Sequence, residues 1–197
     1  MPKVAQGGGI VHPRRLVSLA SSLVFLGLGL LGWSLAAKPN PMIPFPQNHR
    51  QTLVRYAVVD RIDNKSRDLY ISPIGLEALR SGLPLPVGTT LAIETFSGVG
   101  LDDKGRLSRT KEENQLHVIT KLQPGEGLRF WGFGAYTLDG KPEPVVIEMP
   151  GNCLACHQEA VKTDLIISMD LLKQFVATGQ VQYSRCNLSG RQLCTVP

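Results

Sequence analysis

Five consecutive residues, Cys153-Leu154-Ala155-Cys156-His157, restrict this chain more than any other feature, because they read C-x-x-C-H. That grouping is the attachment signature of a c-type haem. Two thiols three residues apart lie on one face of a helix and add across the two vinyl groups of one porphyrin. The adjoining histidine then brings its imidazole onto the iron as an axial ligand. Whatever fold the chain adopts must wrap such a group. Two other chemistries use the same residue types. A structural zinc ion would need Cys186 and Cys194 as further thiolates, but their spacing is wider than zinc knuckles use. A thioredoxin-like dithiol would need a βαβ setting that the flanking sequence lacks.

The N-terminus predicts export. Residues 1–15 carry Lys3, Arg14 and Arg15 and no acidic residue, and Leu16–Ala37 is uncharged and apolar. This is the basic-then-apolar plan of a segment directed into a membrane, with the basic end retained on the cytoplasmic side. Ser34-Leu35-Ala36 would serve as a cleavage site. The apolar run is nevertheless long enough to cross a bilayer, which favours a retained anchor over residues 16–37. Covalent haem attachment on the exported side agrees with it, so the haem domain is expected in the periplasm or an equivalent lumen.

Charge excludes one class of partner. The chain has 21 basic and 16 acidic residues, and setting aside Lys3, Arg14 and Arg15 leaves 18 against 16, or +2. No basic stripe calls for nucleic acid. After the apolar run, KPNPMIPFPQ opens a Pro-rich linker over residues 38–50, read as an extended, semi-rigid spacer. Residues 51–185 form the expected haem domain, a size typical of one unit. Residues 186–197 form a tail in which Cys186 and Cys194 are expected to close a disulfide loop, as spare cysteines do in an oxidising compartment.

Within the domain, apolar patterning predicts strands with a few short helices. Leu53–Ile62, Asp68–Ile71, Val87–Phe96, Leu116–Leu122 and Leu128–Thr137 read as strands. Ser72-Pro73 starts a helix that Gly82 ends, and Ser97–Gln115 reads as a polar loop. Asn152 is a good N-cap for a helix beginning at Cys153. A last helix follows Ser168 or Asp170, with Leu171, Leu172, Phe175 and Val176 on one face and Gly179 at its end.

Together these segments resemble the cytochrome P-460 family. CLACHQEAVKTDLIISM, with its Thr163-Asp164 pair, and LLKQFVATG resemble the family's C-terminal part. RDLYISPIGLEALRSG, LPVGTTLAIETF and LRFWGFGAYT resemble its earlier segments in the same order, so the likeness spans most of residues 51–180. The resemblance implies an α+β domain, an antiparallel β-sheet with short helices around one covalently bound haem c, often as a homodimer. It also implies a distal wall drawn from Arg67, Tyr70, Ile93, Phe96, Trp131 and Phe133. In the enzymatic members a lysine is linked to the macrocycle, and Ile93 stands at that position, followed by Glu94. Unless Lys65 or Lys121 reaches the ring, hydroxylamine oxidation is disfavoured. The chain more closely resembles the uncross-linked cytochromes c′-β, and that resemblance implies binding of gaseous ligands such as nitric oxide.

Candidates for a sixth iron ligand are His117, Met149 and Met169, with His49 and Met42 more remote. The expectation is that none of them binds, leaving an open iron position. The alternative is a membrane-anchored, six-coordinate electron carrier that docks a redox partner protein.

Overall fold

The computed structural model describes residues 42–110, 115–143 and 157–187. All of them belong to one compact unit, Pro39–Pro197. The anchor segment 16–37, Met149, Asn152, Cys153, Cys156 and Cys194 lie outside the described residues.

The elements run α1 (His49–Thr52), β1 (Val54–Arg61), β2 (Lys65–Ile71), α2 (Pro73–Arg80), β3 (Thr90–Leu101), β4 (Leu107–Arg109), β5 (Gln115–Lys121), β6 (Trp131–Thr137), α3 (Met169–Thr178) and β7 (Gln182–Cys186). Seven strands form one sheet in the order β6-β5-β3-β2-β1-β7, with β4 paired to β3. The fold is α+β, as expected. The sheet is mixed, however, because β7 pairs parallel to β1 at the edge while the other pairs are antiparallel.

Strand alternation divides the sheet into two unlike faces. On the front, Ile71, Leu91, Ile119 and Phe133 lie in one cross-strand row. They join Leu76 of α2 and Leu171, Leu172 and Phe175 of α3 in the main core. Burying a side chain such as Leu172 or Phe175 stabilises the fold by about 1.5–3 kcal/mol. A bulge between Arg55 and Ala57 turns both Tyr56 and Ala57 inward, two consecutive buried residues that strict alternation would forbid.

Helix α2 begins with Pro73 at its first turn, where the missing N–H costs nothing. Its expected cap, Ser72, instead accepts a hydrogen bond through Oγ from the Thr90 N–H at 3.0 Å, tying the helix start to β3. Helix α3 ends on Gly179 in the left-handed region, whose N–H reaches the Phe175 carbonyl at 2.7 Å.

The back face is covered by residues that the sequence assigned to a spacer. Ile43 N–H bonds the Phe133 carbonyl at 3.0 Å, the Tyr136 hydroxyl donates to the Ile43 carbonyl, and Phe45 packs edge-on against Tyr136. Phe45 and Leu53 close a small cluster around Tyr70, Ala92 and Leu116. Residues 42–50 are therefore part of the domain, because the prolines alternate with apolar residues that the sheet can bury. Two further departures concern short elements. The polar loop after Phe96 is the extension of β3 and its hairpin to β4, and β7 closes the expected haem domain where the sequence predicts no strand. Neither shows apolar alternation, since both lie at the rim of the sheet.

Candidate haem site

His157 and Gln158 are helical, and the chain then folds back on itself over residues 160–166. The Leu165 N–H bonds the Ala160 carbonyl at 2.9 Å, and Thr163 Oγ1 donates to the carbonyls of Ala160 and Ile166. Asp164 and Leu165 both lie in the left-handed region, with φ of 47° and 68°. For residues with a Cβ each such conformation costs on the order of 1–2 kcal/mol, so surrounding contacts must hold it.

The product of this turn is one hydrogen bond. The Leu165 carbonyl lies 2.8 Å from His157 Nδ1. A carbonyl only accepts, so Nδ1 carries the proton and Nε2 presents a lone pair. Burial pushes the imidazole below its ordinary pKa, while the bond to Leu165 acts the other way, and the ring stays neutral. A neutral imidazole whose second nitrogen is held by a carbonyl is the form in which histidine ligates a metal. The ring meets Phe133 edge-on, with centroids 5.4 Å apart, which places it over the front of the sheet.

Beneath the turn, Asp164 accepts from Lys121 Nζ at 2.5 Å and from Trp131 Nε1 at 3.2 Å. Both donors are nearly inaccessible to solvent. Trp131 and Phe133 thus both touch the histidine segment, Trp131 through Asp164 and Phe133 through the His157 ring.

Register decides the other expected pocket residues. Ile93 pairs with Leu69 and His117, and Arg67 pairs with Val59 and Thr95, so all of these share the front face with Phe133. Arg67 and Ile93 are half-buried and His117 is exposed. Tyr70 and Phe96 belong to the back, and their expected place in the pocket is corrected. Residues 67 and 70, like 93 and 96, are three apart on an unbroken strand and must point to opposite sides.

What the back face holds instead is a charged network that sequence reasoning missed. Glu94 is fully buried, accepting from His49 Nε2 at 3.0 Å and from Arg50 Nε at 2.9 Å. Burial alone would raise its pKa, but the bonds from Arg50 and His49 outweigh it and hold the carboxyl below its usual range. Asp68 is treated alike by Arg109 and Arg55, again against the opposing effect of burial. Tyr70 is desolvated between the two carboxylates, and its hydroxyl is pushed well above the ordinary phenol range. The signal in the sequence was one acid set among apolar residues in each strand, Asp68 in β2 and Glu94 in β3. A solvent-open cleft of about 630 Å³ borders this side, lined by Phe45, His49, Arg50 and Leu138 among others, and His157 is not among its lining residues.

The remaining candidates have the following surroundings. His49 is bound to Glu94 on the back, and Met169 is buried in the core with Leu165. Met42 sits at the Phe133 backbone, about half exposed. Lys65 Nζ donates to Ser97 Oγ at 2.9 Å and Lys121 is committed to Asp164, so each amine already has a partner. Cys186 is disulfide-bonded and has no thiolate to offer zinc, and its partner lies outside the described residues. Among the described residues no group of three His, Cys, Asp or Glu side chains is arranged to hold a metal ion.

A neutral histidine, oriented by a backbone carbonyl and set beside an aromatic ring on an apolar sheet face, has the form that axial ligands take in haem proteins. The model of the Cytochrome P460 family matches residues 46–168, more than half the chain, and the chain belongs to that family. Membership makes it a haem protein, with haem as the implied cofactor. No curated protein matches the sequence.

Proposed function

We propose that this chain is an exported, mono-haem c-type cytochrome that takes a small ligand, nitric oxide or a similar molecule, at an open iron position. Cys153 and Cys156 would carry the porphyrin covalently and His157 would ligate the iron. The observation that carries this reading is the 2.8 Å contact between Leu165 O and His157 Nδ1, which leaves Nε2 as the coordinating atom. When bound, the haem supplies an iron centre able to take up diatomic ligands or exchange an electron.

The chain's own residues supply the surroundings. Phe133 limits rotation of the imidazole. Ile93 gives the front face an apolar, chemically inert position where a lysine would be a nucleophile. Arg67, in the row beyond Ile93, is placed to offer a guanidinium to a propionate or a bound ligand. With Lys65 and Lys121 engaged elsewhere, hydroxylamine oxidation through a cross-linked ring is the least supported activity. The N-terminal segment 16–37 would anchor the domain on the exported side of its membrane.

One observation favours a second reading. His117 lies directly beside Ile93 on the same face, so a six-coordinate electron carrier with His117 on the iron remains the competing assignment. Absorption spectra of the ferric and ferrous protein, with and without nitric oxide, separate the two. A high-spin ferrous spectrum that shifts on adding nitric oxide, in wild type and His117→Ala alike, supports ligand binding. A low-spin ferrous spectrum abolished by His117→Ala overturns it in favour of electron transfer.

A further inference from the structure

Lys121 of β5, Trp131 of β6 and Asp164 of the turn after the haem motif meet where the histidine turn rests on the sheet. Lys121 is 3% exposed and its ammonium also lies 5.6 Å from the Trp131 ring centre. We propose that this cluster is a positioning device for the iron's histidine. It holds residues 163–165 so that the Leu165 carbonyl faces His157 Nδ1, and thereby sets the donor strength of the imidazole. The inference rests on the reading of His157 as axial ligand.

Three observations support it. First, the two consecutive left-handed residues are Asp164 and Leu165 themselves, the residue the cluster grips and the residue whose carbonyl is aimed. Such a conformation persists only where neighbours over-determine it. Asp164 is held by two strands, Thr163 Oγ1 braces the carbonyls on either side, and the Leu165 side chain is wholly buried.

Second, a buried ion pair is a poor way to gain stability, since apolar side chains of similar size do as well or better. What the pair contributes over such a replacement is direction, because carboxylate oxygens bonded to an ammonium and an indole N–H fix the orientation of the Asp164 peptide. Third, the partner of a metal-bound histidine controls its ring orientation and basicity. Here that partner is a backbone carbonyl one residue from Asp164, so any rotation of the turn is transmitted to it.

The test uses the haem-loaded protein with Asp164→Asn, Lys121→Met, their double variant and Trp131→Phe. Asparagine tolerates the left-handed region, so Asp164→Asn removes charge with little demand on the backbone. Haem content, thermal stability, the reduction potential and the iron–histidine stretching band of the ferrous protein are measured. The single variants at 164 and 121 are expected to retain haem, lower the stretching frequency and raise the potential, as a weaker Nδ1–H bond makes the imidazole a poorer donor. Trp131→Phe shifts both in the same direction by less.

In the double variant stability recovers relative to the singles, because no unpaired charge is left, while the band and potential stay shifted. Unchanged band and potential in Asp164→Asn and in the double variant would overturn the proposal. So would a shift that reverts together with stability in the double variant. A His157→Ala protein with an unaltered haem spectrum would instead refute the axial-ligand reading itself, and separates the two failures.

Discussion

Glu94 directly follows Ile93, yet its carboxylate is wholly buried on the back of the sheet, bonded to His49 and Arg50 of α1. Glu94→Gln keeps the size of the side chain and removes its charge. A hydrogen bond to a charged group contributes about 1.5–3 kcal/mol net. The bond from His49, whose side chain is 8% exposed, keeps that value. The Arg50 side chain is 55% exposed, so solvent screening reduces its share to below about 1 kcal/mol. Glutamine retains an acceptor oxygen but turns an amide N–H toward two donors.

The expected loss at neutral pH is therefore about 2–3 kcal/mol, or a fall in Tm of about 5–10 °C for a domain of this size. Thermal unfolding followed by far-ultraviolet circular dichroism measures it. The folded carboxyl has a lowered pKa, so its contribution is present above the unfolded value, about 4.3, and is lost as pH falls through the folded value. The gap between wild type and Glu94→Gln should thus narrow in acid, while Asp68 preserves a shallower acid dependence of its own. The haem absorption should not move, because Glu94 faces away from His157. A loss below about 0.5 kcal/mol, a gap that stays constant in acid, or a shifted Soret band would refute the reasoning.

Leu172→Ala, at a fully buried position of α3, should cost about 2.5–5 kcal/mol in urea unfolding, by lost transfer energy and a residual cavity. Gly98→Ala should destabilise by about 1–3 kcal/mol, because a Cβ there would lie 2.3 Å from Leu107 Cγ and force β4 away from β3; proteolysis within residues 98–109 would report the opening. Cys186→Ser should lower stability by about 2–4 kcal/mol and abolish the sensitivity of unfolding to reductant, and non-reducing peptide mapping should find Cys194 as the partner.

Much of the fold was legible because its long elements carry strong local signals. Helix α3 has a Leu/Phe stripe and a terminal glycine, α2 has Ser72-Pro73 and Gly82, and β5 and the inner half of β3 are rich in branched residues. The rim elements β4 and β7 have none of these. Residues 42–50 were misread for a related reason. Prolines in a row suggest a spacer, but Phe45 and Ile43 find partners only after β6 is in place. The expected pocket was half legible, since the resemblance of segments picks out whole strands without saying which side each residue takes.

Some properties of this protein were determined by the sequence alone. The proposed haem chemistry is read from five adjacent residues, because covalent attachment and axial ligation need only local spacing. The absence of a nucleophile at Ile93 is likewise a matter of residue identity. Tertiary structure alone decided the rest. Arg67 and Ile93 share the face of His157 while Tyr70 and Phe96 do not, because a strand alternates sides and its register is set by its neighbours. Only folding brings Lys121 and Trp131 under Asp164, 43 and 33 residues away in the chain, to steady the carbonyl that orients the histidine.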